Sequence, residues 1–318
     1  MQQLVGRLEK EDLDLFIKSL KCEVYAPVKK DDIRFEKITS ADEIYFKSPS
    51  DFPLKQYFFR SKEVLFEFNH GKLREKIPKV NQRVFIGPRL CDINAVFRQD
   101  FIFIKEYDDP FYKAQRKNSI IIGYHCNEIP SKYCFCGSME LEEVYDAMLF
   151  DKGEYFLIEI RSEEAKKILQ KFIKSTKETI TAEDKKIDTD RLQKKDISKL
   201  KDHKDWKKGV DDCLSCAACT VMCPTCYCHE INDEVSISDL QKGERYREWS
   251  SCQLDSFTRV AGDHVFRNKR EDRFKHRIYH QLVYFKERYG LNMCVGCGRC
   301  IKLCPTTIDF VDIINKMK

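Results

Sequence analysis

Apolar and polar positions recur with recognisable periods over the first half of the chain. In "EKEDLDLFIKSLK" the apolar residues fall at Leu13, Phe16, Ile17 and Leu20, the spacing of one helix face. Runs of strand character follow at "EVYAPV", "IRFEKI", "VLFEF", "RVFIG", "SIIIGY" and "EYFLIEI". They are rich in Val, Ile, Phe and Tyr and are bounded by Gly, Pro or charge. "CDINAVFRQDFIF", after the loop "GPRL", predicts a helix with Asp92 in its first turn. Residues 1–165 are therefore expected to form an N-terminal mixed α+β domain. Residues 166–208 are rich in Lys and Asp, which predicts a charged helical linker, either solvated or presenting a basic docking face. Further on, Ile278, Leu282, Phe285 and Tyr289 mark a buried helical stripe, and residues 209–318 are expected to be helical.

The cysteines change this picture. There are 16, and eleven lie between Cys213 and Cys304. "CLSCAACTVMCP" (213–224) returns in pattern as "CVGCGRCIKLCP" (294–305), each reading Cys-x2-Cys-x2-Cys-x3-Cys-Pro. Three thiolates from one tight loop suit a compact iron–sulfur core. In two-cluster ferredoxins the fourth Cys of each phrase ligates the other cluster. The Pro then turns the chain away, because the residue before it is biased off helix. One [4Fe–4S] cluster is thus assigned Cys213, Cys216, Cys219 and Cys304, and a second Cys294, Cys297, Cys300 and Cys223. The doubled phrase has a physical reason, since neither half owns a complete ligand set. Zinc sites pair two Cys-x2-Cys knuckles and have no use for a third Cys at the same interval. The insert, residues 225–293, has a helical pattern, so the dicluster ferredoxin-like domain is expected to be all-helical. Ala217, Ala218, Gly296 and Gly298 are small enough to let backbone approach the clusters.

Eight cysteines stand outside these phrases. Cys226 and Cys228 in "CPTCYCHE" and Cys252 in "EWSSC" are candidates for a further cluster, with His229 or His264 as a fourth ligand. The alternatives are groups that surround another site, or buried small hydrophobes. Cys91, Cys126, Cys134 and Cys136 match the count of an all-thiolate site, a third [4Fe–4S] cluster, with zinc or no metal as alternatives. Cys22 is expected to be structural, and His125 to be a packed, hydrogen-bonded histidine.

Composition narrows the classes. An apolar fraction of 42% fits a folded protein, and a net charge of +5 is too mild for a nucleic-acid-wrapping surface. No leader pattern and no apolar run of roughly 18–20 residues is present, so a cytoplasmic place without membrane insertion is expected. Thiols are kept reduced there, which favours metal ligands over disulfides. No G-x-G-x-x-G, P-loop or H-E-x-x-H occurs, so flavin or nicotinamide binding is expected on a partner. The run "RNKREDRFKHR" (267–277) is either a solvated helix face or compensation for anionic clusters, with Arg259, Arg267 and Arg273 as candidates.

"GPRLCDINAVFRQD", "DDPFY", "CFCGSM", "CPTCYC", "EWSSC", "AGDHVFR" and "CVGCGRCIKLCPTTIDF" follow one another in an order that carries a resemblance. From about residue 80 onward the chain resembles the beta subunit of cytoplasmic sulfhydrogenases (group 3b nickel–iron hydrogenases) and the similar iron–sulfur component of anaerobic sulfite reductase. The resemblance implies an iron–sulfur electron-transfer subunit. Its partners would be a flavin/NAD(P)-binding subunit, together with a catalytic nickel–iron or sirohaem subunit. Ser250 stands where that family usually has Asp, and Val265 where it tends to have Asn. Two other classes are weighed against this one: a stand-alone iron–sulfur reductase with an N-terminal catalytic site, and an iron–sulfur nucleic-acid-binding protein with steeply salt-dependent affinity.

Overall fold

The computed structural model describes residues 4–318. Nine strands come from the first half: β1 (Leu4–Glu9), β2 (Glu23–Lys29), β3 (Ile33–Ile38), β4 (Lys62–Asn69), β5 (Lys72–Glu75), β6 (Arg83–Ile86), β7 (Ser119–Tyr124), β8 (Ala147–Asp151) and β9 (Tyr155–Ile160). Two more, β10 (His229–Ser236) and β11 (Asp239–Trp249), lie between the cysteine phrases. The α+β class stands as expected, and the six strand-like runs appear as β2, β3, β4, β6, β7 and β9.

Seven strands form a mixed sheet in the order β1-β9-β8-β7-β6-β2-β3. Its centre, β2, β6, β7 and β8, is parallel, and antiparallel pairs close both edges. Every residue of β7 is buried, which explains the uninterrupted apolar run "SIIIGY": a parallel strand covered on both faces needs no polar alternation. Pro27 has no N–H to give a ladder, and the pairing of β2 with β6 stops at Tyr25. On one face pack Leu13, Phe16 and Ile17 of the helix Asp12–Ser19, with Ala165 and Leu169 of the helix Glu163–Leu169. Against the other lie Ile93 and Val96 of the helix Leu90–Asp100, with Phe58, Phe59, Phe103 and Tyr112.

The insert departs from the helical expectation. Its first part is a hairpin, β10–β11, that pairs with β4 to make a four-stranded antiparallel sheet, β10-β11-β4-β5. Nearly half of the hairpin's residues are charged and all but Arg247 are at least partly exposed, and its hold is the backbone ladder and cross-strand pairs such as Arg245–Asp233 (2.6 Å). At its root Arg247 is buried and pairs with Glu63 (2.7 Å) on β4 and Asp109 (2.5 Å). Helix begins only at Arg270–Tyr279, passes through a π-helical turn at His280–Tyr284 and ends at Phe285–Tyr289. Within it Ile278, Leu282 and Phe285 are buried and Tyr289 half-buried, as the stripe predicts.

The connector is not the solvated linker its charge suggests. Thr189, Leu192 and Trp206 are buried. Lys195 Nζ donates to the carbonyls of Ile314 (3.2 Å), Asn315 (2.6 Å) and Met317 (2.6 Å), which end the helix Phe310–Lys316. Arg191 pairs with Asp309 (2.6 Å) at the start of that helix. A shared core, including Phe135 and Met139 from the first half with Trp206, Ile278 and Phe310 from the second, crosses both expected boundaries.

Removing one partner of a buried ion pair leaves uncompensated charge. Arg247→Met, which strands Glu63 and Asp109, should therefore cost about 3–5 kcal/mol. Denaturant unfolding checks this. A loss below about 1 kcal/mol, the scale of a surface pair, would show that the hairpin is not anchored there.

Candidate iron–sulfur sites

The two phrases fold alike. In the first, Ser215 (φ 52) and Ala217 (φ 66) take left-handed backbone; in the second, Gly296 (φ 65) and Gly298 (φ 73) do so at the same two places. This curls each loop so that its amides face inward. Ser215 N–H donates to Cys213 Sγ and Gly296 N–H to Cys294 Sγ, both at 3.4 Å. A one-turn helix follows in each copy, Ala218–Val221 and Arg299–Lys302, and leads to Cys223-Pro224 and Cys304-Pro305. Gly is required only in the second copy. A Cβ on Gly296 would lie 2.5 Å from Cys136 N, and one on Gly298 2.5 Å from the Tyr133 carbonyl oxygen. The "YCFC" loop is packed onto this phrase, with Phe135 N–H donating to Gly296 O (2.8 Å).

Cys213, Cys216 and Cys219 line one cavity together with Cys304 of the other phrase. Phe274, Ile278 and Phe310 wall it. Cys216 is the exposed cysteine among the described residues. Cys223 is buried within electrostatic reach of the second-phrase thiols. Burial pushes Cys294 up to about 12, and Cys223 and Cys297 add to the rise. Burial raises Cys297 and Cys300 as well, and Cys223 again contributes to both. Cys213, Cys216, Cys219 and Cys304 thus border one cavity, which Cys300 also lines, and Cys223 is within electrostatic reach of Cys294, Cys297 and Cys300.

The N-terminal cysteines also meet. Cys91 opens the helix after β6 and Cys126 follows β7, so both sit at the carboxyl ends of adjacent parallel strands, where open sheets offer sites. Burial raises Cys91, Cys126 (to about 11) and Cys134 (to about 12), and each feels the charge of Cys136. Cys136 Sγ is 3.2 Å from Thr189 Oγ1. This group abuts the second phrase, with Cys134 Sγ 3.9 Å from Cys297 O. His125 stands aside, stacked on Phe150 (4.9 Å) with Nε2 3.2 Å from Lys185 O.

Cys226, Cys228 and Cys252 form a further group beside Cys223. A hydrogen bond from Cys252 pulls Cys228 down to about 7, and Cys226 donates to Cys223. The histidines expected to complete this group do not join it. His229 Nδ1 faces Tyr227 O (3.1 Å) and its ring lies against Phe59, while His264 is exposed against Phe266. The sequence placed them nearby, but His229 lies on a strand and His264 beyond a turn. Cys22 packs at the margin of the sheet core, far along the chain from every other thiol. Ser250 Oγ donates to Glu230 (2.8 Å) and Val265 bridges to Arg259 across a short turn, so neither departure faces a thiol group.

The cations near the thiols are mostly not those expected. Arg259 is on the surface with Asp263 (2.7 Å), Arg267 is half-buried on a loop, and Arg273 holds the carbonyls of Gln253, Arg267 and Asn268. The sequence run ends on the residue that matters, Arg277, which is buried and lines the cavity. Arg299, inside the second phrase, is buried between Asp92 (2.8 Å), Cys297 and Cys91. Lys55, which no motif marks, is buried with Nζ on Cys226 O (3.1 Å) and Thr220 O (3.4 Å) and over the Trp249 ring (4.2 Å). Burial lowers its pKa, while Cys226, Cys223 and Cys228 raise it. Neither Arg277 nor Lys55 forms an ion pair with a carboxylate among the described residues. Buried charges of this kind are costly unless an anion lies beside them. All-thiolate donor sets with interleaved cations fit anionic iron–sulfur groups. Among the described residues no three Cys, His, Asp or Glu side chains converge as ligands of a single ion; the thiols border cavities and one another.

Paired Cys-x2-Cys-x2-Cys-x3-Cys-Pro loops are the pattern of a two-cluster iron–sulfur protein, and residues 212–308 match the family model described as a 4Fe-4S dicluster domain. Over 315 residues the chain is 31% identical to sulfhydrogenase 2 subunit beta of Pyrococcus furiosus, covering 93% of this chain and 92% of that one. It belongs to the sulfhydrogenase beta-subunit family, carries [4Fe–4S] clusters and is an iron–sulfur electron-transfer protein. No solved structure matches it.

The unequal copies give a test. Gly296→Ala must strain a positive φ and meet the Cys136 backbone, so a loss above about 2 kcal/mol is expected, with reduced iron content. Ala217→Gly, which relieves the positive φ of the first copy, should stay within about 1 kcal/mol of the parent. Thermal unfolding and iron assays on both variants decide it. Equal melting and iron loading of Gly296→Ala and the parent would refute the close packing of these loops.

Proposed function

We propose that the chain is the electron conduit of a multi-subunit redox complex. One neighbour binds flavin and a nicotinamide nucleotide; another holds the terminal catalyst, a nickel–iron or sirohaem centre. The observation that carries this reading is the succession of thiol groups through the interior. They run from the exposed Cys216 set, through the Cys223 set, to the group at the end of the parallel strands. When bound, the clusters supply one-electron carriers. The residues do the rest: thiolates hold four corners of each site, Phe274, Ile278 and Phe310 keep water out, and backbone N–H groups donate to the sulfurs. The name of the Pyrococcus relative, a subunit of a sulfhydrogenase, supports a place in such a complex.

Three clusters belong to this reading, on Cys213, Cys216, Cys219 and Cys304; on Cys294, Cys297, Cys300 and Cys223; and on Cys91, Cys126, Cys134 and Cys136. A fourth on Cys226, Cys228 and Cys252 is the second reading, favoured by the buried ammonium of Lys55, which has no carboxylate partner among the described residues.

Anaerobic purification with iron and zinc counts should give about twelve irons per chain at four per cluster, or about sixteen with the fourth. About eight irons would overturn the N-terminal cluster. Cys304→Ala should remove the EPR signal of the first cluster while keeping the second, and Cys223→Ala the reverse. If Cys304→Ala abolished only the cluster of its own phrase, ligand exchange would be wrong.

A further inference from the structure

We propose that Arg277 is the shared counter-cation of the two exchanged clusters, one fixed charge that holds both at higher reduction potential than their thiolates alone would. The inference rests on the ligand sets above. Arg277 projects from the helix Arg270–Tyr279 and is 5% exposed. It lines the cavity with Cys219 and Cys304 of the first set and with Cys300 of the second. Its Nη2 donates to Cys219 O (2.9 Å), and its Nε has no partner in the protein. Phe310 lies beneath it, with the guanidinium 5.8 Å from the ring centroid. No carboxylate pairs with it among the described residues, so no neighbouring anion other than the thiols offsets its charge.

Other buried cations near the thiols are placed differently: Arg98, which feels the charge of Cys294, gives its N–H groups to Asn292 and Asn94. Arg299 is half-spent on Asp92, and its Nε and Nη2 are taken by Ser50. Lys55 sits at the Cys226 group, its Nζ held by the carbonyls of Cys226 and Thr220. Reduction of a cluster adds one electron from an external donor and one negative charge, with no bond made or broken. A nearby cation in a low-dielectric interior favours the more negative state. Because Arg277 stands between the sets, it should act on both.

The test is an EPR-monitored redox titration of the anaerobically purified full chain. In Arg277→Gln the reduction equilibrium of both exchanged clusters should fall at least tenfold, about 59 mV for a one-electron couple. Arg277→Lys, which keeps the charge, should stay within that margin of the parent. Unchanged potentials in iron-replete Arg277→Gln would overturn the proposal, as would a shift confined to one cluster. So would an Arg277→Lys shift equal to that of the Gln variant. If Arg277→Gln is isolated without iron, Arg277→Lys decides: full loading at parental potentials supports the charge role, and failure to load assigns a packing role and overturns it. Absence of two clusters in the parent would sink the ligand assignment itself, before any variant is measured.

Discussion

Gathering many thiolates in one protein interior sets an electrostatic constraint that the rest of the fold answers. Two unit charges about 4 Å apart interact by about 4 kcal/mol at an effective dielectric near 20, so a set of anionic ligands cannot be buried without cations. The chain brings them from separate places: Lys55 from the segment before β4, Arg299 from inside the second phrase and Arg277 from the helix between the phrases. Each is itself too costly to bury without an anion. Cations and thiolates therefore justify one another's burial, and cluster binding and folding are one coupled process.

The two phrases share backbone conformation but not surroundings. Ser215 and Ala217 take left-handed φ with their side chains in place, and Cys216 between them is exposed. Gly296 and Gly298 are demanded by the Tyr133–Cys136 loop pressed against them. An outward site and an inward site follow from one sequence pattern used twice. The inward one is sealed by the first half of the chain, which is why a ferredoxin-like element here is not a free-standing module.

Much of this was legible in the sequence. The doubled Cys spacing pointed to a dicluster domain, and the cavity shared by Cys213, Cys216, Cys219 and Cys304 lies where that spacing directed attention. The buried strands were legible because they are continuously apolar. The β10–β11 hairpin was not: Glu, Asp, Lys and Arg fill "HEINDEVS" and "DLQKGERYREW", and a sheet solvated on much of its surface leaves little alternation to read. The connector misled for a related reason. Its burial rests on isolated residues such as Leu192 and Trp206 and on one lysine, Lys195, that caps carbonyls, set in a sequence otherwise coloured by charge. Lys55 carries no local signal, since its partners lie more than 160 residues away.

The π-helical turn at His280–Tyr284 explains how one helix reaches three thiol groups. A regular helix commits its carbonyls to its own ladder, whereas a π turn disturbs that ladder and is often found at functional sites. Here Gln281, in the turn, accepts from Cys294 N–H (3.0 Å) through its backbone carbonyl. Its side chain donates from Nε2 to Cys226 Sγ (3.5 Å) and accepts from Thr225 Oγ1 (3.0 Å). Four residues earlier Arg277 faces the first cavity. The widened turn lets neighbouring residues of a single helix address the first set, the second phrase and the Cys226 group together. The helical part of the insert is thus tied to both phrases and to the Cys226 group through Arg277 and Gln281, so its register sets where these two side chains meet the thiols.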